Sequence, residues 1–358
     1  MPQEAKRYRL IAGQFYLRFE ELTQPKQPQP DGDTVRFVPD NPFPFFEPKI
    51  IRRYGTAEPD LSNFGINVRF EGIDALETHF SKGASGFRHQ NLALATAARD
   101  AMLRGLGFTG VVFDAEYPYT VRSADQNPVP GYVIANGVEQ NGRLLGFVYA
   151  GQPTGFPEYD RWKQSQQGAP RPASRPALPP TPLVFVDRPL LERSVNWQLI
   201  DAGLAYAELY TSMPLDLARH MARRVRQLRA EPPAGSIWSQ EDLALGKSYV
   251  WDKRIASLED LVMFPKLFRR LVDYAQALST ARSPGKIKLM DWLRDASFAR
   301  ERDDRLLLPP EPGNADLPSC EFGNLHDLIE VRGEDADKRV ELALKHNPED
   351  VIVLPDNV

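Results

Sequence analysis

Short apolar runs, separated by Gly, Pro, Asn and Asp, dominate the first half of the chain. Runs of four to nine residues with turn residues at their ends are typical of β-strands. We therefore predict a strand-rich first half, with strands over residues 11–19, 34–38, 67–70, 110–113, 131–134 and 144–149, and a returning strand over residues 183–186.

Helical patterns occupy the rest of the sequence. Apolar residues at helical spacing predict helices over residues 83–104, 190–202 and 215–229, and later over 287–299 and 334–346. Ser257-Leu258-Glu259-Asp260 is typical of a capping box, so another helix is expected to begin there. Pro265 predicts a break or kink in that helix. The last third of the chain is therefore expected to be mainly α-helical.

Length and composition limit the class of protein. A chain of 358 residues exceeds one usual core, so two domains, or one domain with a large extension, are expected. The single cysteine, Cys320, excludes an internal disulfide. No segment reaches the roughly 20 apolar residues of a membrane span, and the first 22 residues lack a signal-peptide core. We expect a cytoplasmic protein that has no membrane partner.

Charge is unevenly distributed. Residues 301–358 contain 15 acidic and 6 basic side chains, whereas residues 1–300 contain 33 acidic and 38 basic ones. Residues 218–230 hold five arginines and no acid, and Arg219, Arg223 and Arg226 share one face of the predicted helix. This face suits a nucleic-acid backbone. A solvated face that stabilises the fold is an equally good interpretation.

Five charged side chains occur in an order that suits the cleavage of a phosphodiester. The reaction needs a neutralised phosphate, an activated water and stabilisation of the charge that develops in the transition state. Carboxylates bind hard cations and accept protons, and guanidinium groups pair with phosphate oxygens through two parallel hydrogen bonds. The residues that combine these properties are Asp33, Arg69, Asp74, Glu77 and Arg143.

Each of these residues can be given a role. Asp33 and Asp74, together with the backbone carbonyl of Ala75, supply the oxygen ligands that calcium prefers, with manganese or magnesium as substitutes. Glu77 lies three residues after Asp74, close enough to border the same metal-bound water, and is the expected general base. The two arginines are expected to hold the phosphate.

At these residues the chain resembles the thermonuclease family, the staphylococcal nuclease-like domains built on a five-stranded OB barrel. The resemblance continues in Gly142-Arg143-x-x-Gly146, in Gly203-Leu204-Ala205 and in Ile237-Trp238-Ser239. It implies an α+β fold, with a nuclease domain over residues 7–242 that is interrupted by insertions at about 41–64 and 152–182. A mainly helical region of unknown role, residues 243–358, would follow.

The resemblance also implies an activity, namely calcium-dependent hydrolysis of DNA and RNA. In the family an aromatic residue after the Gly-Leu-Ala sequence contacts the substrate, and Tyr206 or Tyr210 would supply it here. Two positions depart from the family. Leu76 stands where the family has a proline that would stiffen the catalytic loop, and Asn141 stands where some members have a tyrosine.

Other interpretations remain open. Asp-Gly-Asp-Thr is also an ordinary turn sequence, Glu77 could begin a helix, and Arg143 could be a solvated strand residue. The chain could therefore be an OB-fold module that binds nucleic acid without cleaving it. It could also be an adaptor whose C-terminal helices do the work, and that region could dock a protein partner or self-associate. A digestion assay with calcium distinguishes these classes.

Overall fold

A computed structural model describes residues 7–46, 51–54, 58–81, 86–166, 181–281, 287–294, 305–309, 321–333 and 339–354. These residues form two compact units. The first, the barrel unit, contains the described residues up to Glu71 together with Ala101–Gln198. The second, the mixed unit, contains Gly72–Asp100 and the described residues from Leu199 onward. The units differ from the predicted division after residue 242, because the segment that follows Glu71 clusters with C-terminal residues.

Strands and helices are interspersed along the chain. The strands are β1 (Arg7–Tyr16), β2 (Thr34–Pro39), β3 (Arg52–Arg53), β4 (Ile66–Phe70), β5 (Gly72–Ala75), β6 (Val112–Phe113), β7 (Val121–Ser123), β8 (Val129–Val138), β9 (Leu144–Ala150), β10 (Leu183–Phe185), β11 (Ala205–Tyr210), β12 (Ser248–Trp251), β13 (Arg305–Leu308), β14 (Glu321–Asn324), β15 (Ile329–Arg332), β16 (Val340–Leu344) and β17 (Ile352–Val353). The helices are α1 (Leu92–Leu106), α2 (Pro157–Gln166), α3 (Arg188–Glu192), α4 (Val195–Asp201), α5 (Leu215–Ala230), α6 (Pro265–Thr280), α7 (Leu289–Arg294) and α8 (Leu325–Leu328).

The barrel unit is built around a closed β-barrel. Its strands pair in the order β1, β2, β4, β9 and β8, and the pairing of β8 with β1 closes the ring. All of these pairs are antiparallel except β4 with β9, which is parallel. Alternate residues of β2 are buried, as expected for a strand with one face on a core. The predicted strand-rich first half is confirmed, and the barrel is compatible with an OB fold.

Asn196 of α4 fixes the point where the chain leaves the barrel. Its side chain is fully buried and donates to the carbonyl oxygens of Glu71, at 2.9 Å, and Gly146, at 3.1 Å. The side-chain amide oxygen of Asn196 accepts a hydrogen bond from the backbone N–H of Val148, at 2.9 Å. Because one amide satisfies backbone groups beside both β4 and β9, the end of β4 is held firmly where the catalytic loop was predicted to begin.

The mixed unit contains two sheets. One has the strand order β14, β13, β17, β11 and β5, and the other has the order β12, β16 and β15. The prediction of a mainly helical C-terminal region is not confirmed, since the described residues beyond 242 form β12 to β17 as well as α6, α7 and α8. Residues 334–346 were expected to form a helix. Residues 340–344 instead form β16, in which Val340, Leu342 and Leu344 are buried on one face. Residues 334–338 lie outside the described part.

Other helix boundaries also moved. The helix predicted over residues 83–104 begins only at Leu92, because Phe80 and Arg88 pair as an isolated antiparallel bridge before it. The helix expected from Ser257 begins at Pro265, after a 3-10 turn at Ile255–Ser257. Proline suits the first turn of a helix, where its missing N–H has no partner to lose, so the predicted break lies before Pro265 and α6 begins there.

The remaining predictions are met in part. Helices α3 and α4 divide the run predicted over residues 190–202, and α5 matches the run over 215–229. The helix predicted over 287–299 is present as α7, and residues 295–299 lie outside the described part. The second insertion contains α2, and its residues 167–180 are likewise not described. Among the described helices, none has the length and apolar content needed to cross a membrane.

Candidate functional site

Two of the predicted residues, Asp33 and Arg69, form an ion pair in the barrel unit. Asp33 directly precedes β2, and its carbonyl oxygen accepts a hydrogen bond from the N–H of Phe70 at 2.9 Å. Thr34 is the register partner of Arg69, so strand pairing places the two charged side chains together. Oδ1 of Asp33 also accepts a hydrogen bond from the hydroxyl of Thr34, at 3.1 Å. Both residues of this ion pair are buried in the barrel unit.

Strand β5 positions Asp74 and Ala75 in the mixed unit. They are register partners of Tyr206 and Ala205 in β11, and the side chain of Asp74 is fully buried. Glu77 follows two residues after the strand ends and is 8% exposed. A carboxylate without a counter-ion at either position would pay a large desolvation cost. The structure must therefore provide a cation beside them.

Arg269 of α6 provides that cation, and the sequence did not predict it. Its Nη1 donates to Oδ1 of Asp74 at 3.1 Å and to Oε1 of Glu77 at 2.5 Å, while its Nη2 donates to Oδ2 of Asp74 at 3.0 Å. The two carboxylates therefore converge on a single guanidinium. The carboxylate oxygens of Asp74 and Glu77 can hold a cation between them, because the guanidinium of Arg269 already occupies that position. We call these three residues the carboxylate–arginine cluster.

Gln90 holds the loop that carries Glu77. The N–H of Glu77 donates to Oε1 of Gln90 at 3.2 Å, and the N–H of Gln90 donates to the carbonyl oxygen of Glu77 at 3.0 Å. Nε2 of Gln90 donates to the carbonyl oxygen of Met263 at 2.8 Å, and the whole side chain is buried. Both backbone groups of Glu77 are thus fixed without the family's proline at Leu76, which is itself fully buried.

His79 lies beside this loop and is mostly buried. Its Nδ1 is 2.6 Å from the hydroxyl oxygen of Thr78. Burial lowers the pKa of His79 to about 4, although the charge of Glu77 acts in the opposite direction. The imidazole is therefore neutral at physiological pH.

Arg143 lies in the hairpin between β8 and β9. Its backbone N–H and its Nε both donate to Oε1 of Glu139, at 3.1 Å each. Gly142 has a φ of +79°, and a Cβ there would lie 2.7 Å from the carbonyl oxygen of Glu58, so only glycine suits this turn. The side chain of Arg143 is 30% exposed, which leaves it accessible to a ligand.

The arginines of α5 fall into two groups. Arg223 is exposed and Arg219 is half-buried. Arg226 pairs with the buried Asp350 at 2.8 Å. Two further α5 arginines also have acidic partners: Arg224 pairs with Asp201, and Arg229 pairs with both Glu349 and Glu241. Of the three arginines on the face predicted to bind nucleic acid, Arg226 is thus paired with an acid of the same unit.

The two predicted aromatic contacts differ in exposure. The ring of Tyr206 is fully buried, with its centroid 5.0 Å from the ring of Trp238 and 5.9 Å from that of Phe264. A buried ring has no face on which a base can stack, so Tyr206 packs the core of the mixed unit in this structure. Tyr210 ends β11 and is half-buried, so it keeps an accessible edge.

Comparisons with known proteins leave the family open. No protein-family model matches the chain, and a search of curated proteins gives no significant match. In the part of the chain that the structure describes, no group of three or more His, Cys, Asp or Glu side chains is arranged to hold a metal ion.

Proposed function

We propose that this protein is a calcium-dependent phosphodiesterase that cleaves DNA and RNA, a thermonuclease-like enzyme on an OB barrel. The convergence of Asp74 and Glu77 on one cation carries the proposal. A metal ligand and a general base must border the same water, and the cluster brings these two carboxylates within hydrogen-bonding distance of a single nitrogen.

The roles follow from the chemistry of each group. In the mixed unit, Asp74 and the carbonyl of Ala75 would hold the divalent cation, which when bound would neutralise charge on the phosphate. Glu77 takes a proton from water as the water oxygen bonds to phosphorus and the bond to the leaving oxygen breaks. Arg69 and Arg143 pair with phosphate oxygens, and a guanidinium has five N–H donors, enough to serve an acid and a phosphate together.

The barrel connectivity supports the proposed fold family. The closed order of β1, β2, β4, β9 and β8, in which only β4 and β9 are parallel, is compatible with an OB barrel. The burial of Asp33, Arg69 and Asp74 supports a functional role as well, because buried charges are costly and are concentrated at functional sites.

The ion pairs favour a second candidate. Both carboxylates predicted as metal ligands already have a guanidinium partner, Arg69 for Asp33 and Arg269 for Asp74. A protein in which those pairs were permanent would bind nucleic acid without cleaving it, or would act as an adaptor. The exposed Arg223 would still attract phosphate in such a protein.

Digestion with a chelator control tests the proposal. Metal-free protein is incubated with single-stranded DNA, duplex DNA and RNA, with calcium, manganese, magnesium or chelator. Cleavage is expected with calcium and none with chelator. Glu77→Gln should lower turnover by about 10²- to 10⁴-fold, the usual contribution of a general base.

The matched control is Glu259→Gln, because Glu259 is another glutamate of the mixed unit that faces an arginine, Arg88 at 3.6 Å. This variant should cleave at the wild-type rate. Binding without cleavage under every metal would favour the second candidate. Full activity in a folded Glu77→Gln protein would remove Glu77 from the mechanism.

A further inference from the structure

The buried side of α6 carries charges that face the strands of the mixed unit. Lys266 pairs with Glu208 of β11 at 3.0 Å, and Arg269 reaches Asp74 of β5. Both acids are essentially inaccessible to solvent, with 1% and 0% of their side chains exposed. Helix α6 therefore supplies the positive charge that these two strands require.

The carboxylate–arginine cluster differs from the Lys266 pair in its contacts. Two carboxylates bind the same guanidinium. The three oxygens that bind Arg269 are also the oxygens that a hard divalent cation would use. A cation and the guanidinium would repel each other if both occupied these oxygens.

We propose that Arg269 is an internal counter-ion that competes with a divalent cation for Asp74 and Glu77. The inference rests on the metal site of the proposed function. In the state described here Arg269 takes the position of the cation, and the cation binds only when the guanidinium moves off Asp74. The protein is therefore held in a form with low calcium affinity by its own C-terminal part.

The surroundings allow Arg269 to move while the carboxylates stay in place. Asp74 is held by the pairing of β5 with β11, and the backbone of Glu77 is held by Gln90, so neither depends on Arg269 for its position. The side chain of Arg269 is 20% exposed, which gives the guanidinium a route to solvent. Helix α6 retains the Lys266–Glu208 pair when that side chain rotates.

Calcium binding to metal-free full-length protein, measured by titration calorimetry at fixed pH and salt, tests the competition. Arg269→Gln removes the guanidinium and should bind calcium at least ten-fold more tightly than wild type. The matched control is Arg270→Gln, the next residue on the same helix, which faces Asp273 at 3.9 Å. It makes the same change in net charge and should bind calcium within two-fold of wild type.

Two further variants keep the result decisive. Adding Asp74→Asn to Arg269→Gln should abolish the gain in affinity. Arg269→Lys keeps the charge and is the milder change, but one ammonium cannot reproduce the fork that bridges the three oxygens, so its affinity should fall between wild type and Arg269→Gln. If Arg269→Gln does not fold without calcium, Arg269→Lys decides the question.

The outcomes separate this inference from the proposed function. Equal calcium affinity in wild type and the Arg269 variants, with binding lost in Asp74→Asn, overturns the competition and leaves the metal site standing. Absence of calcium binding in every variant overturns both. Cleavage activity is not needed for either conclusion.

Discussion

The barrel unit and the mixed unit each contain a buried cluster of acid and guanidinium, and the clusters differ in the origin of the guanidinium. In the barrel unit Arg69 comes from the strand next to Asp33, and one acid meets one base. In the mixed unit Arg269 lies 195 residues beyond Asp74 in the sequence, and two acids share one base. Strand pairing therefore fixes the first cluster, whereas a single side chain of a helix completes the second.

The two clusters also differ in whether calcium can replace the guanidinium group. The Asp33–Arg69 pair is enclosed, with both side chains no more than 7% exposed. The carboxylate–arginine cluster joins two acids through a partly exposed guanidinium. We expect the first pair to behave as part of the barrel, and the second to respond to calcium.

Removal of Arg69 should have the largest effect on stability. Arg69→Met leaves Asp33 buried without its partner, and breaking a buried pair in this way typically costs about 3–5 kcal/mol. Arg143→Met is the control in the same unit, because its partly exposed pair with Glu139 should contribute about 1 kcal/mol or less. Denaturant unfolding measures both, and equal losses would mean that the Asp33–Arg69 pair has no special role in the barrel.

A third cluster, in the mixed unit, contains an acid whose protonation changes near neutral pH. Arg229 pairs with Glu349 and Glu241, so here too two acids share one guanidinium. Burial raises the pKa of Glu241 from 4.5 to about 7, with Arg229 opposing the shift. An acid whose folded pKa is raised stabilises the fold below its unfolded pKa, and the contribution is lost as pH rises through 7.

Wild-type stability should fall by about 3 kcal/mol between about pH 4.5 and 7, as Glu241 loses its proton in the folded protein. Glu241→Gln cannot ionise, so it should not show this fall. The free energy of unfolding, measured from pH 5 to 8, should fall more steeply for wild type than for the variant. Glu259→Gln should follow the wild-type profile. Parallel profiles for wild type and Glu241→Gln would contradict the raised pKa of Glu241.

Gln90 offers a test of loop positioning with an internal control. Gln90→Leu removes the side-chain partner of the Glu77 N–H and of the Met263 carbonyl, at a cost of about 1–3 kcal/mol. In the barrel unit Gln27 makes a similar clamp on both backbone groups of Phe19, at 3.0 and 2.8 Å. Both leucine variants should lose similar stability, but only Gln90→Leu should lower turnover. A similar loss of turnover in both would make Gln90 a purely structural residue.

The basic helix gives the smallest expected effect. Arg223→Ala removes an exposed charge and should reduce the slope of log affinity for nucleic acid against log salt by about 0.7–0.9. Arg226→Ala should instead lower stability, because it leaves the buried Asp350 without its partner, and should change the slope little. If both variants reduce the salt dependence of affinity equally, both arginines contact phosphate.

The sequence predicted the barrel strands better than the C-terminal elements for a physical reason. Strands such as β2 and β9 lie between turn residues and bury one or both faces locally, so their pattern is visible in the sequence. In β16 the strand has five residues, and the neighbouring Glu and Lys residues fit a helical pattern equally well. Its pairing with β12 and β15 decides the outcome, and pairing between distant segments leaves no local signal.

The candidate site was predictable only in part. The five charged residues stood out by type and order, and the pairing of Asp33 with Arg69 agrees with their positions on neighbouring strands. Arg269 and Gln90 could not be found in the same way. An arginine inside an amphipathic helix is ordinary, and its partners become visible only when the fold brings α6 to β5.

Diffraction from crystals grown with calcium, with the anomalous signal used to locate the ion, tests the central claim most directly. The account predicts a calcium ion at about 2.3–2.6 Å from a carboxylate oxygen of Asp74, the usual calcium–oxygen distance. In the same crystal the guanidinium of Arg269 should have moved away from Asp74. The account is contradicted if, at saturating calcium, Arg269 still bridges Asp74 and Glu77 and no ion lies beside them.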